Sequence, residues 1–465
     1  MTRIRAPVAS VEGMSRGTRF AVLLTTVSLL GAPLAAGCGG PAAPGAASSD
    51  ARPSGAASPS AGETGASAAP TPGAASASAT PAASPGPSRS GRLARMTVEE
   101  KVGQLFMPVL YGSRADTPHK ENVARFGVRT PAEAIRKYHL GGVILFPWAG
   151  NVSSVSQVVA LTNGLQRAAG DIPLLIGVDQ ENGRVSRLGS LVTELPEAKV
   201  IGDTGKTRWA REAARVTGTE LRALGINLDF APVADVNVNP KNPVIGPRAY
   251  GSDPKKVARM VGAAIDGFHA AGVAATAKHF PGHGDTTVDS HTGLPVINHS
   301  KAQWERLDAP PFRTAIAHGV DAIMSAHVVM PKLDRSGDPA TLSKPILTGL
   351  LRNRLGFTGV VITDSLQMAG ARQKYGDGEV AVRAILAGAD ILLMPPDFPR
   401  AYEAVLAAVR SGRISEKRLD ESVARVLALK ERRGLFTAKP ADPAAAKKII
   451  KSREHLRIAR TIARS

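Results

Sequence analysis

The stretch GVAATAKHFPGHGDTTVDSH, residues 272–291, decides how this chain is expected to fold. Its first six residues are small or apolar, which is typical of a strand that is buried on both faces of a parallel sheet. The fourteen residues that follow hold three of the ten histidines, two aspartates and a lysine. Because functional groups collect at the carboxyl ends of strands in folds where strands and helices alternate, we expect a site here.

Seven other short apolar runs indicate further strands on either side of this one. The eight predicted strands are Gln104–Val109, Gly142–Phe146, Leu174–Val178, Asn227–Pro232, Ala274–Lys278, Ala322–Ser325, Val360–Asp364 and Ile391–Met394. Helical patterns alternate with most of them, over Ser153–Ala168, Thr207–Leu224, Lys255–Ala271, Trp304–His318, Ser343–Leu355, Val380–Ala387 and Tyr402–Ser411. This alternation predicts an α/β fold, specifically a (β/α)8 TIM barrel that forms a single catalytic domain. A doubly wound open sheet is the alternative, although the sequence lacks the glycine-rich phosphate loop that it favours.

Charged residues also follow other predicted strands. Asp179, Glu181, Arg184 and Arg187 come after one strand, which is more charge than a turn requires. Asp364 ends another strand, where a carboxylate is costly to bury unless it has a task. Because the carboxyl ends of barrel strands surround one site, we expect polar groups at these ends to meet there.

The histidines allow other interpretations. His279 and His283 are four residues apart and are candidate metal ligands, but Pro281 and Gly282 argue against the helix that this spacing needs. With no cysteine nearby, zinc would need histidine and carboxylate ligands alone. A polar loop punctuated by glycine and proline is a further alternative. We predict no metal and no cofactor, and we expect His327 to line the site without an assigned role.

Residues 278–291, KHFPGHGD followed by DSH, resemble the signature of family 3 glycoside hydrolases, specifically of their β-N-acetylglucosaminidase branch. The stretch DQENGR, residues 179–184, resembles a second motif of the family, with Asn182 at a frequent glycine position. Asparagine tolerates left-handed backbone, so this change is mild. The stretches NLDFAPVAD from residue 227, GPRAYG from residue 246 and DSLQM from residue 364 are also similar to family motifs.

The resemblance implies a retaining, exo-acting β-N-acetylglucosaminidase that removes terminal β-linked N-acetylglucosamine from cell-wall or chitin-type oligosaccharides. It implies three catalytic residues, namely Asp364 as nucleophile, His291 as acid/base and Asp289 as the partner of His291. It implies five substrate-binding residues, namely Asp179, Arg187, Arg248, Lys278 and His279. We expect Asp229 and Asp235 to be structural, and Glu181 and Arg184 to form structural ion pairs.

Three alternative functions stay open. The first is a phosphorylase with phosphate as acceptor, because an imidazole acid/base repels phosphate less than a carboxylate does. A β-glucosidase of the same family is the second, but such members take their acid/base from a further domain, for which we expect no room after about residue 450. A non-catalytic sugar-binding lipoprotein is the third, although a pure binder has no need of the Asp364 carboxylate.

The first residues differ in composition from the rest. A basic segment precedes the apolar run Phe20–Ala36, which is short for a membrane span and predicts a signal peptide over residues 1–38. Cys38, the only cysteine, follows small residues as in a bacterial lipobox, although Ala35 stands where that pattern prefers leucine. We expect lipidation of Cys38 and a chain that is exported and anchored on the extracytoplasmic face of the membrane, or else secreted.

Composition and charge suggest how the remainder is organised. Residues 39–91 are mostly Ala, Pro, Ser and Gly and predict a disordered linker, because they bury too little apolar area to offset ordering entropy. The catalytic domain is expected over residues 92–440, and a basic helical tail over 441–465 is expected to dock on the barrel or contact a membrane surface. The formal charge is +19, of which +16 lies beyond residue 91. Such a domain is expected to attract anionic lipid or wall polymers, and no nucleic-acid module is recognisable.

Overall fold

The computed structural model describes residues 89–465 of the chain. The predicted signal peptide, the predicted lipidation site at Cys38 and the predicted linker up to residue 88 lie outside these residues. Helix α1, Arg89–Arg95, includes the last three residues of the predicted linker. Arg92 lies over the ring of Phe436 at 4.2 Å, and this contact attaches the helix to the rest of the domain.

Ten strands and sixteen α-helices follow one another along the described residues. The strands are β1 Phe106–Met107, β2 Gly142–Ile144, β3 Leu175–Val178, β4 Gln180–Asn182, β5 Val185–Ser186, β6 Leu228–Asp229, β7 Ala274–Phe280, β8 Ala322–Ser325, β9 Val360–Thr363 and β10 Leu392–Leu393. The helices after α1 are α2 Val98–Gly103, α3 Lys120–Phe126, α4 Pro131–Tyr138, α5 Val155–Ala169, α6 Ala198–Asp203, α7 Thr207–Ala223, α8 Pro254–Ala270, α9 Lys301–Leu307, α10 Ala309–Ala317, α11 Ala369–Arg372, α12 Asp377–Ala387, α13 Phe398–Arg410, α14 Glu416–Arg432, α15 Pro443–Ile449 and α16 Arg453–Ala463. The segment Pro345–Arg354 is π-helical.

Six strands form one parallel sheet whose order follows the chain, β2-β3-β6-β7-β8-β9. The remaining parallel strands, β1 and β10, pair with each other. Backbone hydrogen bonds link this pair to both edges of the sheet, from Ile144 N to Pro108 O at 3.1 Å and from Thr363 N to Ile391 O at 3.0 Å. The structure is therefore an α/β fold with a curled parallel sheet. Its strand order contains no reversal, unlike that of a doubly wound sheet.

Two apolar clusters stabilise this arrangement. The larger cluster lies between the strands and the surrounding helices. The second gathers side chains from each of the eight parallel strands, including Met107, Ile144, Leu175, Leu228, Ala274, Ala322, Val360 and Leu393. Successive side chains of a strand point to opposite faces, so these strands contribute to both clusters, except β6, whose second residue is Asp229. Each large apolar side chain that is buried in this way contributes about 1.5–3 kcal/mol.

Local sequence explains where helices begin and end. Thr97 Oγ1 accepts a hydrogen bond from Glu100 N at 3.2 Å, and the Glu100 carboxylate accepts one from Thr97 N at 2.8 Å, as the spacing predicts. The single helix predicted over Trp304–His318 is wrong, because the structure has α9 and α10 there. Pro310 and Pro311 lie in the first turn of α10, where proline is tolerated, and they would break a continuous helix.

Strand β7 is longer than predicted and runs through Phe280 with all seven residues buried. His279 and Phe280 therefore also lie within the strand, whereas the predicted strand ended at Lys278. The pairing of β7 with β8 shifts register between Lys278 and Phe280. The peptide bonds Lys278–His279 and Phe280–Pro281 are cis. The antiparallel hairpin of β4 and β5 was not predicted, since its short polar strands carry no hydrophobic alternation.

The C-terminal tail folds onto the domain as α15 and α16. Ile458, Ala459 and Ile462 of α16 are buried, so docking, and not membrane contact, occupies the apolar face of this helix. Glu220 of α7 accepts hydrogen bonds from His455 Nδ1 at 2.7 Å and from Lys451 N at 2.9 Å. From residue 89 onward, no helix is long and apolar enough to cross a membrane.

Candidate active site

A cavity of about 390 Å³ lies at the carboxyl ends of the parallel strands. Seven of the eight residues that the sequence predicted for catalysis and substrate binding line it: Asp179, Arg187, Arg248, Lys278, His279, His291 and Asp364. The eighth, Asp289, contacts His291. The fold therefore gathers side chains from positions 179 to 364 of the chain into one site.

A cluster of four charged groups forms one wall of the cavity. Lys278 Nζ lies 2.8 Å from Asp179 Oδ1 and 2.6 Å from Glu181 Oε1. Arg248 donates two hydrogen bonds to the Glu181 carboxylate, both at 2.8 Å. Burial alone would raise the pKa of Glu181, but the two cations lower it well below its usual range. Burial would likewise lower the pKa of Lys278, but the two carboxylates raise it, so the cluster stays charged.

Glu181 is a site residue that sequence reasoning missed. We expected structural ion pairs for Glu181 and Arg184, and each does form one. Arg184 pairs near the surface with Glu197 at 3.2 Å, whereas Glu181 lies in the cavity wall beside Lys278 and Arg248. Glu181 follows Asp179 by two residues, and side chains two residues apart in an extended segment lie on the same face. This spacing could have indicated that Glu181 lies beside Asp179 in the site. Asn182 has a φ of 71°, the left-handed conformation that the sequence suggested.

Asp235 orients the neighbouring histidines. Its carboxylate lies 2.6 Å from His279 Nδ1 and accepts the backbone N–H of His283 at 2.8 Å. A carboxylate only accepts, so His279 carries a proton on Nδ1, and its Nε2 lies 3.4 Å from the Arg248 guanidinium. Asp229 is fully buried beneath Gln180, and burial raises its pKa well above the usual value. Neither aspartate lines the cavity, which agrees with the structural role expected for both.

Asp364 follows β9 and is half-buried at the cavity floor. Its Oδ1 accepts the backbone N–H of Ser365 at 2.7 Å. Burial would raise the pKa of Asp364, but the charge of nearby His279 and the Ser365 N–H contribute to a net lowering. The group is therefore a carboxylate at neutral pH.

His327 does not line the cavity, contrary to expectation. It is fully buried, with Nε2 3.0 Å from the Ser365 carbonyl and Nδ1 2.9 Å from Thr341 Oγ1. Burial lowers its pKa, so the ring is neutral at pH 7. Its hydrogen bond instead fixes the backbone immediately after Asp364.

His291 and Asp289 form a hydrogen-bonded pair at the edge of the cavity. His291 Nδ1 lies 2.7 Å from Asp289 Oδ1, which also accepts the backbone N–H of His291 at 2.8 Å. Burial raises the pKa of Asp289, but these contacts lower it overall. Because an ionised carboxylate needs a donor, His291 carries a proton on Nδ1 and presents Nε2 for proton exchange.

An aromatic wall, which the sequence did not single out, faces the charged cluster. Phe146 stacks on Trp148 with ring centroids 4.9 Å apart, and both residues line the cavity. The Arg187 guanidinium lies 5.4 Å from the Phe146 ring, and this contact orients the arginine. Both aromatic residues directly follow β2, so their position after a strand was the available signal.

No group of three or more His, Cys, Asp or Glu side chains within residues 89–465 is arranged to hold a metal ion. His279 Nδ1 contacts Asp235, and His283 Nε2 contacts Ser290 Oγ at 2.9 Å. The two histidines considered as metal ligands thus each use a ring nitrogen in a hydrogen bond within the protein.

Comparisons with known proteins agree with this geometry. Residues 97–429 match the family described as "Glycosyl hydrolase family 3 N terminal domain". Beta-hexosaminidase A of Pseudoalteromonas piscicida is 39% identical over 367 residues, which cover 72% of this chain but only 61% of that relative.

Two solved structures are similar as well. A family 3 beta-N-acetylglucosaminidase from Paenibacillus sp. str. FPU-7 superimposes with a TM-score of 0.73 and 45% sequence identity. The match covers 79% of this chain and 68% of the Paenibacillus chain. Beta-glucoside phosphorylase BglX superimposes with a TM-score of 0.72 and 29% sequence identity. The match covers 80% of this chain and 66% of the BglX chain.

Proposed function

This chain belongs to glycosyl hydrolase family 3, and from that premise we propose that it is a retaining, exo-acting β-N-acetylglucosaminidase. The observation that carries the proposal is the meeting of Asp364 and the Asp289–His291 pair at one cavity. The names of the Pseudoalteromonas and Paenibacillus relatives support the substrate class. A cavity of about 390 Å³ is of the size of small-ligand sites, which suits one terminal sugar.

We read the curled sheet as a closed (β/α)8 barrel. Support comes from the pairing of β1 with β10 and from the backbone bonds that link this pair to β2 and β9. The inner apolar cluster, with side chains from all eight parallel strands, fits the filled interior of such a barrel. The cavity then occupies the barrel face where active sites are found.

In the first step of the proposed mechanism, an Asp364 oxygen attacks the anomeric carbon of the terminal sugar. The bond from that carbon to the leaving oxygen breaks, and His291 donates its Nε2 proton to this oxygen. The product of this step is a covalent glycosyl ester on Asp364. Asp289 stabilises the cationic imidazole and keeps the ring oriented.

In the second step, water replaces the leaving group. Neutral His291 takes a proton from the water on Nε2, and the oxygen attacks the anomeric carbon as its bond to Asp364 breaks. Two displacements at one carbon restore the β configuration. An imidazole suits both duties because it titrates near neutral pH.

The charged cluster and the aromatic wall are proposed to hold the sugar. Asp179 uses one oxygen for Lys278, so its other oxygen can accept a sugar hydroxyl. Arg187, Arg248 and Lys278 supply donors around it, and His279 lines the cavity beside them. Glu181 keeps Lys278 and Arg248 in place, because it pairs with both.

Phosphorolysis is the second candidate. The similarity to a beta-glucoside phosphorylase supports it, as does a cavity lined by Arg187, Arg248 and Lys278. A phosphate oxygen would take the place of water in the second step, giving a sugar 1-phosphate. A β-glucosidase that prefers a sugar without the acetamido group is the remaining candidate of the family.

The test compares aryl β-N-acetylglucosaminide with aryl β-glucoside, each with and without inorganic phosphate. We expect turnover of the N-acetyl substrate and a loss on the order of 10⁴-fold or more in Asp364→Ala, because the nucleophile is gone. Asp377→Ala, which removes a partly buried carboxylate that pairs with Arg372 and does not line the cavity, is the control. Sugar 1-phosphate would establish the phosphorylase, preference for the glucoside would establish the glucosidase, and sugar binding without turnover would contradict an enzyme.

We also propose that the chain is exported and anchored to the membrane through a lipid on Cys38. The apolar run Phe20–Ala36 and the small residues before Cys38 support this location. The +16 charge beyond residue 91 would favour anionic surfaces and wall polymers near the anchor.

A further inference from the structure

Ser290 lies between the two residues of the proposed acid/base pair and lines the same cavity as His291, but it is far more buried than either neighbour. The Ser290 residue is 1% exposed, whereas the His291 side chain is 60% exposed and that of Asp289 is 37% exposed. Backbone bonds from Thr292 N and Gly293 N to the Asp289 carbonyl close a tight turn here. The turn thus presents the acid/base pair outward and inserts the serine into the protein.

The inserted hydroxyl has one defined partner. Ser290 Oγ lies 2.9 Å from His283 Nε2, and His283 is itself 1% exposed. Burial lowers the pKa of His283 to about 4, so the ring is neutral at pH 7. Its Nδ1 has no hydrogen-bond partner within the described residues, so the contact with Ser290 is the one polar contact of this ring that the structure shows.

His283 is fixed in turn by the sugar-binding part of the site. Its backbone N–H donates to Asp235 Oδ1 at 2.8 Å, and the other oxygen of Asp235 lies 2.6 Å from His279 Nδ1. Contacts therefore run from His279 through Asp235 and His283 to Ser290. The position of the turn is tied to the position of a residue that lines the cavity.

The other side of the turn rests on the segment after the nucleophile. Gly370 N donates to the Ser290 carbonyl at 3.2 Å, and Ala369 N donates to the His291 carbonyl at 3.3 Å. A Cβ at Gly370 would lie 3.0 Å from both Gly293 O and His327 Cβ, so the turn, Gly370 and His327 are closely packed. The turn is held between the strand that carries His279 and the segment that carries Asp364.

We propose that Ser290 is a positioning residue, whose hydrogen bond to His283 holds the Asp289–His291 pair at the cavity. The inference rests on the proposed glycosidase function. Without the bond, the turn keeps its own fold but loses its attachment, and His291 Nε2 no longer stays within proton-transfer distance of the leaving oxygen. A displacement of about 1 Å is enough to reduce a rate on the order of a hundredfold.

The test uses the acidity of the leaving group. A dinitrophenyl group leaves with little help from a proton donor, whereas a sugar alcohol depends on one. For Ser290→Ala we expect kcat/KM to fall about tenfold or more with an N-acetylglucosamine disaccharide and less than about threefold with the dinitrophenyl glycoside. His283→Ala is expected to give the same pattern, because it removes the ring that Ser290 Oγ contacts.

Thr287→Ala, which removes an exposed hydroxyl of the same loop, is the matched control and should leave both values unchanged. An equal fall with both substrates, or no fall with either, would overturn the inference. Hydrogen–deuterium exchange of residues 286–293 supplies a readout that needs no activity. We expect faster exchange in Ser290→Ala, and unchanged exchange would also overturn the inference. Failure of the wild type to turn over any glycoside would instead contradict the proposed function.

Discussion

At the scale of single residues, neighbouring charges decide whether a titratable side chain of the site is ionised or neutral. Asp364 is partly removed from water, which by itself would favour its neutral form. His279 supplies opposing positive charge, and Asp235 holds that ring by its Nδ1. A residue proposed to bind the sugar is thereby also proposed to keep the nucleophile ionised.

Replacing His279 should change the pH dependence of the reaction. In the proposed mechanism Asp364 attacks as a carboxylate, so we expect kcat/KM to fall as the pH drops through the lowered pKa of Asp364. His279→Gln removes a positive charge that lowers this pKa, so we expect the acid limb to move up by about one pH unit. The measurement is kcat/KM for the dinitrophenyl glycoside between pH 3 and 8.

The control for this measurement is His318→Gln, which removes a surface histidine that lies 2.8 Å from Asp266. Its acid limb should coincide with that of the wild type. An unmoved limb in His279→Gln would contradict the electrostatic role, even if KM rises because a sugar contact is lost.

At the scale of elements, one buried carboxylate is among the contacts that join helices α15 and α16 to the domain. Glu220 of α7 accepts hydrogen bonds from the backbone and the hydroxyl of Thr193, from Lys451 N and from His455. Burial raises the pKa of Glu220, but these partners lower it overall. The predicted boundary between the catalytic domain, which ends at residue 440, and the C-terminal tail therefore runs between helices that pack against each other.

Loss of this carboxylate charge should destabilise the domain. Glu220→Gln keeps the shape but places an amide where several donors converge, so we expect a loss of about 3 kcal/mol in unfolding free energy. Because the folded pKa is lowered, the stabilisation is present above the usual glutamate pKa and is lost as the pH falls through the folded value. Urea unfolding at pH 7 and at pH 3 measures both effects.

Glu212→Gln is the comparison, since Glu212 pairs with Arg215 at 2.9 Å on the same helix and is partly exposed. Its cost should stay below about 1 kcal/mol. Equal costs for the two variants would mean that the buried contacts of Glu220 do not anchor the tail.

At the scale of the whole molecule, the described domain carries no membrane-spanning helix, so the proposed location depends on the residues before it. The domain is also strongly basic, and charge alone can hold a protein on an anionic surface. High salt separates the two possibilities, because it screens surface charge but does not remove a lipid anchor.

We expect the full chain to stay in the membrane fraction of its native host after a high-salt wash. Cys38→Ala should release it to the soluble fraction, whereas Ser48→Ala, a change of similar size in the predicted linker, should not. Retention of Cys38→Ala after the wash would contradict anchoring through this residue. Release of the wild type by salt would show that charge, and not a lipid, holds the protein.

The sequence by itself determined the family, the alternation of strands and helices and most of the candidate site. It did so because the side chains proposed for catalysis follow strand ends at fixed local spacings, as in residues 278–291 and at Asp364. Recognition of family 3 is confirmed by the match over residues 97–429. Local signals also set the capping box at Thr97 and the left-handed Asn182.

Only the tertiary structure decided which distant residues meet. The contacts of Glu181 with Lys278 and Arg248 join residues that lie 67 positions or more apart in the chain, and those of Glu220 with His455 join residues 235 positions apart. The inward direction of Ser290 depends on the turn and on buried His283, and the burial of His327 behind Asp364 depends on packing around the strand ends. Such contacts follow from how strands and helices pack, and short sequence patterns carry no information about them.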